Sequence, residues 1–363
     1  MTETLSTLST VLIYVAMGFY AAAFIAFALD LARRSARVTA AEAASVPSAV
    51  ARRAEVAAPV GAGATIGSST TSVGGPPASG AASTPPPSSA LGRLSSRISS
   101  RVEDEVMNGA ESSASIRWAF GLTIAGFAFH LVATVLRGIA AARVPWANMW
   151  EFSMTGTLVI VGVFLVANLK WPIKYLGTFI VGLVLVLQGI ALLRYFVPVV
   201  PLQPALQSYW LVIHIIVAVL GTAFFALGFA LSGLQLLQYR RERQVEESRP
   251  QQFRFLATLP SSVALENLAY RINIVGFIAW TFTLIAGAIW AEKAWGRYWG
   301  WDTKEVWTFI IWVIYAGYIH ARATRGWRGS RSAWLAIIGF AAVLFNFGIV
   351  NVFFHGLHAY SGL

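Results

Sequence analysis

The chain has 363 residues, 57% of them hydrophobic and only 12% charged. A soluble domain carries roughly 25% charged residues, so a chain this apolar cannot cover itself with polar surface and its solvent is lipid. Its net charge of +11 sits beside apolar runs, where membrane topology puts basic residues, and not in a nucleic-acid-binding pattern; with no Cys it has no disulfide, no thiolate metal site and no CxxCH of its own.

Crossing a hydrocarbon core of about 30 Å takes roughly 20 apolar residues. Eight segments qualify: 8–32, 117–136, 151–169, 175–194, 209–238, 272–291, 305–323 and 333–354. The first reads as a signal-anchor, because it lacks a positive leading region and its apolar run is too long for a cleaved signal. Residues 38–116 carry PVGAGATIGSSTTSVGGPPASGAASTPPPSSA, which has no apolar period, and are expected to be a disordered linker. Within it, 93–111 has the pattern of a short amphipathic helix. The fifth span is over-long and extends past the bilayer. The seventh is the least apolar. Residues 1–37 therefore form a first transmembrane helix and 117–363 a seven-helix membrane domain.

Lys and Arg divide between the two sets of connections as 21 and six. The richer set includes the first linker, which is then cytoplasmic. Both termini lie outside, as does the loop 290–307. The fold expected is all-α: a polytopic membrane protein of about eight transmembrane helices, N-out and C-out.

All five histidines, His130, His214, His320, His355 and His358, fall in or beside spans. An ionisable group in a membrane is a candidate functional residue, although any one of them alone is more simply a hydrogen-bonded bundle residue. His214 lies about two turns into the fifth span, and His355 and His358 follow the eighth. All three are at the outer level. Two neutral imidazoles facing across a gap can ligate a flat metal macrocycle. His320 lies near the inner end of the seventh span. His130, in the second, reads as structural.

The stretch WAEKAWGRYWGWDTKEVW, 290–307, sits at the same outer level. Three readings compete. It can be an interfacial aromatic belt. It can be helix-start chemistry, with Asp302 and Glu305 forming a D-x-x-E capping box. Or it can be an aromatic platform, with Trp295, Trp299 and Trp301 against a flat ligand and Arg297 and Lys304 as cations for its carboxylates.

WGRYWGWD fits the WGxxWxWD signature of haem-handling cytochrome c assembly proteins. Its continuation TKEVWTFIIWVIYAGYIHAR, and also GLHAYSG, SYWLVIHIIVAVLG and PWANMWEF, match further motifs of that family in order, over residues 117–363. The chain resembles most the CcsA/ResC-type subunit (CcsB in some bacteria) of the System II cytochrome c synthase. That resemblance implies a component of a holocytochrome c synthase, or haem lyase, complex in the bacterial cytoplasmic membrane. Its substrate is haem b, translocated or presented at the outer face for attachment to the CxxCH of apocytochrome c. It implies His214 and His358 as external ligands of the haem iron and His320 as a transient one. Trp295, Trp299, Trp301, Asp302, Arg297 and Lys304 would belong to the haem-presenting stretch. The implied partners are a ResB/Ccs1-type membrane subunit, apocytochrome c and a thioredoxin-like thiol reductant. His355 stands close enough to His358 to be mistaken for the ligand. Thr303 stands where the family usually has proline, and the long insert after the first span is a second departure. The rival readings are a haem carrier without synthase activity, which is typically shorter, and a secondary transporter. The latter would need mid-membrane charges and a repeat that the sequence lacks.

Overall fold

The computed structural model describes residues 2–56 and 113–358, apart from 201, 203–205, 248, 250–253, 325 and 355; for 38, 39 and 41–56 it describes the backbone alone. Among these residues all the regular structure is helical. The helices are α1 (Thr2–Val56), α2 (Ala114–Ala141), α3 (Met149–Ala167), α4 (Gly177–Arg194, entered through a 3₁₀ turn at Lys174–Leu176), α5 (Tyr209–Glu246), α6 (Ser262–Trp295), α7 (Thr303–Thr324) and α8 (Ser330–Leu344). After α8 the same rod continues through a π-helical turn, Phe345–Val350, to Phe353.

Seven of these are long and apolar enough to cross a membrane. α7 is long enough too, at 22 residues, but carries Lys304, Glu305 and Arg322, which accounts for its weaker apolar signal. The chain is thus a polytopic membrane protein, with its spans where hydropathy puts them. In lipid each backbone group must be satisfied within its own segment, and helices do that.

α1 differs from expectation. Its backbone stays helical to Val56, well past residue 38, where the sequence reading starts a disordered linker. The added stretch is rich in Ala, the strongest helix former, but has no apolar period to mark it as a helix. The rest of that linker, including the amphipathic pattern at 93–111, lies outside the described residues.

The bundle is built around α5. It packs along α6 and also meets α3 and α8. α1 lies along α2 and touches α4, and α7 bridges α6 and α8. Large residues lock the pairs together: Phe225 of α5 stacks on Tyr315 of α7 with centroids 3.6 Å apart, and Trp280 of α6 leans on the same Phe225. His130 is buried between α1 and α2, its Nδ1 3.3 Å from the Tyr20 hydroxyl.

Two buried carboxylates tie the helix ends. Near the start of α3, Glu151 is fully buried and pairs with Arg137 at 3.1 Å and Arg143 at 2.7 Å. Those guanidinium groups also donate to Ser6 and to the carbonyls of Val197 and Val200, so α1, α2, α3 and the segment after α4 are joined there. At the opposite end, Glu266 of α6 accepts from Arg322, from the Gly329 N–H and from Ser332, which ties α6 to α7 and α8.

Removing one partner of a buried pair leaves an uncompensated charge and costs about 3–5 kcal/mol. Glu151→Ala is therefore expected to lower the thermal-unfolding midpoint in detergent sharply. Glu247→Ala, at a largely exposed pair, should cost no more than about 1 kcal/mol. Equal shifts in the two variants would show that the Glu151 cluster does not hold the helix ends.

Candidate functional site

Between α3, α4, α5, α6, α7 and α8 lies a cavity of about 400 Å³. Along α6 it runs from Trp290 to Trp280, roughly 15 Å at 1.5 Å per residue. Its deeper wall is apolar, with Ile160, Leu187, Val219, Phe340 and Val343. Its polar groups come chiefly from His214 of α5, Lys304 of α7, Asn346 and Asn351 on the α8 extension, and His358 beyond it.

His214 is set by the start of α5, where the Ser208 hydroxyl caps the first turn by accepting the Trp210 N–H. Its Nδ1–H donates to the Thr283 carbonyl of α6 at 3.0 Å. A carbonyl only accepts, so the proton must sit on Nδ1 and the lone pair on Nε2. The ring reaches α6 because residue 287 is glycine: a Cβ there would lie 2.8 Å from His214 Cε1.

His358 is set from the other side. Its Nδ1–H donates to Asp302 Oδ2 at 2.6 Å, which again leaves the lone pair on Nε2. The backbone N–H groups of Leu357 and Lys304 also favour the charged Asp302 carboxylate. The hydrogen bond from His358 holds the Asp302 carboxyl below its ordinary pKa, against the opposing effect of partial burial. Gly356 makes room for this: a side chain there would run into Asp302 Oδ1. His355 lies outside the described residues.

Trp290 joins the two histidines. It is almost fully buried, nearly parallel to the His214 ring at 5.8 Å between centroids, and edge-on to His358 at 5.4 Å. Together these separations keep the two imidazole centroids within about 11 Å of each other. Trp295 also meets His358 edge-on, at 4.8 Å.

The tryptophan loop is a tight structure in its own right. Gly296 ends α6 in the left-handed conformation, at φ 72°, the position where helices prefer glycine. Glu305 Oε2 accepts the N–H groups of Gly300 and Asp302 at 2.8 and 3.0 Å. The bond to Asp302 is the returning half of the capping box expected there. Between them, Trp301 takes φ 59°, also left-handed, and is 77% exposed. Trp299 packs edge-on against Trp301 and Phe309. The Arg297 guanidinium lies over Gly300, within its own loop.

The sequence-predicted residues thus fall into three groups. His214, His358 and Lys304 line one cavity, with Asp302 and Trp295 in contact with His358. Trp299, Trp301 and Arg297 stay in the loop and do not line it. His320 lies exposed, 17 residues into α7, roughly 25 Å along the helix from its start. Sequence reasoning passed over Trp290, Thr283, Gly287, Gly356 and the two asparagines. Trp290 was in view, as the first tryptophan of the stretch, but nothing in the pattern marked it as the buried one. Asp302 has more than the cap role: it anchors His358 as well.

The model of the cytochrome c assembly protein family matches residues 152–358, more than half of the chain and the whole of this site. The chain belongs to that family. Proteins named cytochrome c biogenesis protein CcsA resemble it. That of Heterosigma akashiwo is 34% identical over 250 residues, covering 60% of this chain and 77% of its own. That of Trieres chinensis is 31% identical over 284 residues, covering 69% and 91%. That of Prochlorococcus marinus is 39% identical over 184 residues, covering 44% and 56%. The solved structure of a protein titled cytochrome c heme lyase CcmF superposes with a TM-score of 0.50 at 18% identity, over 74% of this chain and 48% of that one, and shows likeness of fold. Membership of this family places the chain in cytochrome c maturation.

A hydrogen bond of this kind contributes about 1 kcal/mol to stability. Gly287→Ala should push the His214 ring off the Thr283 carbonyl and lower the thermal-unfolding midpoint in detergent, with the helical circular dichroism unchanged. An unaltered midpoint would mean that the close approach at Gly287 does not hold the ring.

Proposed function

We propose that the cavity receives haem b as a substrate and presents it for attachment to apocytochrome c. His214 and His358 ligate the iron through Nε2. The observation that carries this reading is that both imidazoles line one cavity, each with Nδ1 committed to an acceptor and its lone pair left on Nε2. A volume of about 400 Å³ is in the range of small-molecule sites, which are mostly apolar with a few fixed polar groups. Lys304 lines the same cavity and hydrogen-bonds Asn351, and is the cation for a propionate; Arg297, held in its loop, is further off. Trp290 and Trp295 border the His358 ring, while the exposed Trp299 and Trp301 are available to the incoming polypeptide.

The chain's part is to hold and orient, which alone can lower a barrier by several kcal/mol. The two thiols of CxxCH add across the haem vinyl groups, each forming one C–S bond while its proton goes to the neighbouring carbon. The protein has no Cys, so a thioredoxin-like reductant must keep those thiols reduced. His320, exposed on α7, is the transient ligand on the inner side and takes its partner from a ResB/Ccs1-type subunit. The basic residues support a topology with both termini and the haem site on the extracytoplasmic face of the bacterial cytoplasmic membrane.

The test is spectroscopic. The purified protein, alone or with its partner subunit, should show the Soret and visible bands of six-coordinate low-spin haem. His214→Gly and His358→Gly should each lose most of the haem and regain it in millimolar imidazole. A haem-free wild type in both preparations, or His→Gly variants that keep haem and mature cytochrome c normally, would overturn the assignment.

A further inference from the structure

The two proposed iron ligands are held by chemically different partners. His214 donates to a neutral peptide carbonyl at 3.0 Å, His358 to a carboxylate at 2.6 Å. Hydrogen bonds to an ionised acceptor are shorter and roughly twice as strong as neutral ones. Electron density pushed onto Nδ1–H passes through the ring and makes Nε2 a better donor to iron. The carboxylate is itself held by the close packing of Gly356 against its Oδ1. Its backbone N–H is taken by Glu305.

We infer that Asp302 is a positioning residue that makes the two axial positions unequal, with His358 the stronger, retained ligand and His214 the weaker one, exchanged first. This rests on the reading above that His214 and His358 ligate haem iron. In the exchange one Fe–N bond breaks and another forms. The imidazole of CxxCH brings its lone pair as His214 leaves with its own, and no electron or proton changes place. The inequality also favours ferric over ferrous iron, because the more basic donor stabilises the higher charge. The haem is then held at a lower potential than two carbonyl-bonded histidines would give.

Asp302 also stands at the N-cap position of α7, so a loss on its removal could be mere unravelling of a helix start. Asparagine separates the roles, since it caps as well as aspartate and can still accept from Nδ1–H, but carries no charge. The experiment is a redox titration and haem-retention assay on the full-length membrane protein reconstituted with haemin. Asp302→Asn should keep the wild-type circular dichroism and bind ferric haem about tenfold or more weakly. Its midpoint should rise by about 59 mV for each tenfold by which ferric binding weakens more than ferrous. Asp302→Glu, which keeps the charge, should recover part of the shift. Gly356→Ala, which forces the loop away from the carboxylate without removing it, should shift the midpoint in the same direction, and is the fallback if Asp302→Asn fails to fold. His214→Gly should retain more haem than His358→Gly. A wild-type midpoint in Asp302→Asn and Gly356→Ala, or the reverse order of retention in the two His→Gly variants, overturns the inference while leaving ligation intact. A wild type that takes up no haem overturns the ligation reading and this one with it.

Discussion

A polar side chain in a bilayer has no water to turn to, so it must find its partner inside the bundle or lie near an end. That constraint arranges this molecule. Glu151 with Arg137 and Arg143, and Glu266 with Arg322, form two buried clusters near opposite helix ends. Each joins several helices at once. Such clusters are not strong sources of stability in themselves, because desolvation consumes most of the attraction. Their value is that any wrong docking of the helices would strand a charge in lipid, which makes one arrangement of the ends greatly preferable. The middle of the bundle is mostly aromatic and aliphatic packing, such as Phe225 on Tyr315, with a few buried polar contacts such as Thr157 to Gln188.

The same constraint explains where the site is. A cavity with two imidazoles and an ammonium group is tolerable only where a helix end, a loop or a bound substrate can satisfy them. The deeper wall is therefore apolar, and the polar groups come from the second turn of α5, the first turn of α7 and the segment after α8. The tryptophan loop is a scaffold. Its aspartate reaches across to the C-terminal segment, and its glutamate holds the loop's own backbone. Trp290, still on α6, is the ring in contact with both histidines.

Much of this is legible in the sequence. Runs of about 20 apolar residues are self-sufficient units in lipid, so the eight helices can be placed without knowing how they pack. Counting basic residues then puts His214, His358 and the tryptophan stretch at one level, and the structure brings the two histidines, Trp290 and Lys304 to one cavity. What stays hidden is everything that depends on packing between distant segments. The acceptor for His214 is a backbone carbonyl 69 positions away, and backbone carbonyls leave no mark on a sequence. Asp302 is read as a cap because its local partner, Glu305, is three residues on, whereas His358 is 56 positions away. Three tryptophans at similar spacing look alike, but Trp295 turns inward while Trp299 and Trp301 stay in the loop, a difference set by the turn at Gly296. The extension of α1 escapes for the opposite reason: it is a helix by propensity, with no apolar face to announce it.

The backbone at Trp301 shows how the loop is held. A bulky residue in the left-handed region costs about 1–3 kcal/mol, and persists only where its surroundings over-determine it. Here the surroundings are one side chain. Glu305 Oε2 accepts the N–H before Trp301 and the N–H after it, so the two flanking peptides are fixed and Trp301 has one conformation open to it. Glu305 is itself mostly buried at the start of α7, where a negative charge is favoured by the helix dipole. The strain therefore does not come from the tryptophan, whose ring is largely exposed and free of core packing. It follows from the need to bring Asp302 round to face His358 seven residues after the end of α6. The loop is short because the carboxylate has to arrive at the imidazole in register, and the exposed ring is the consequence.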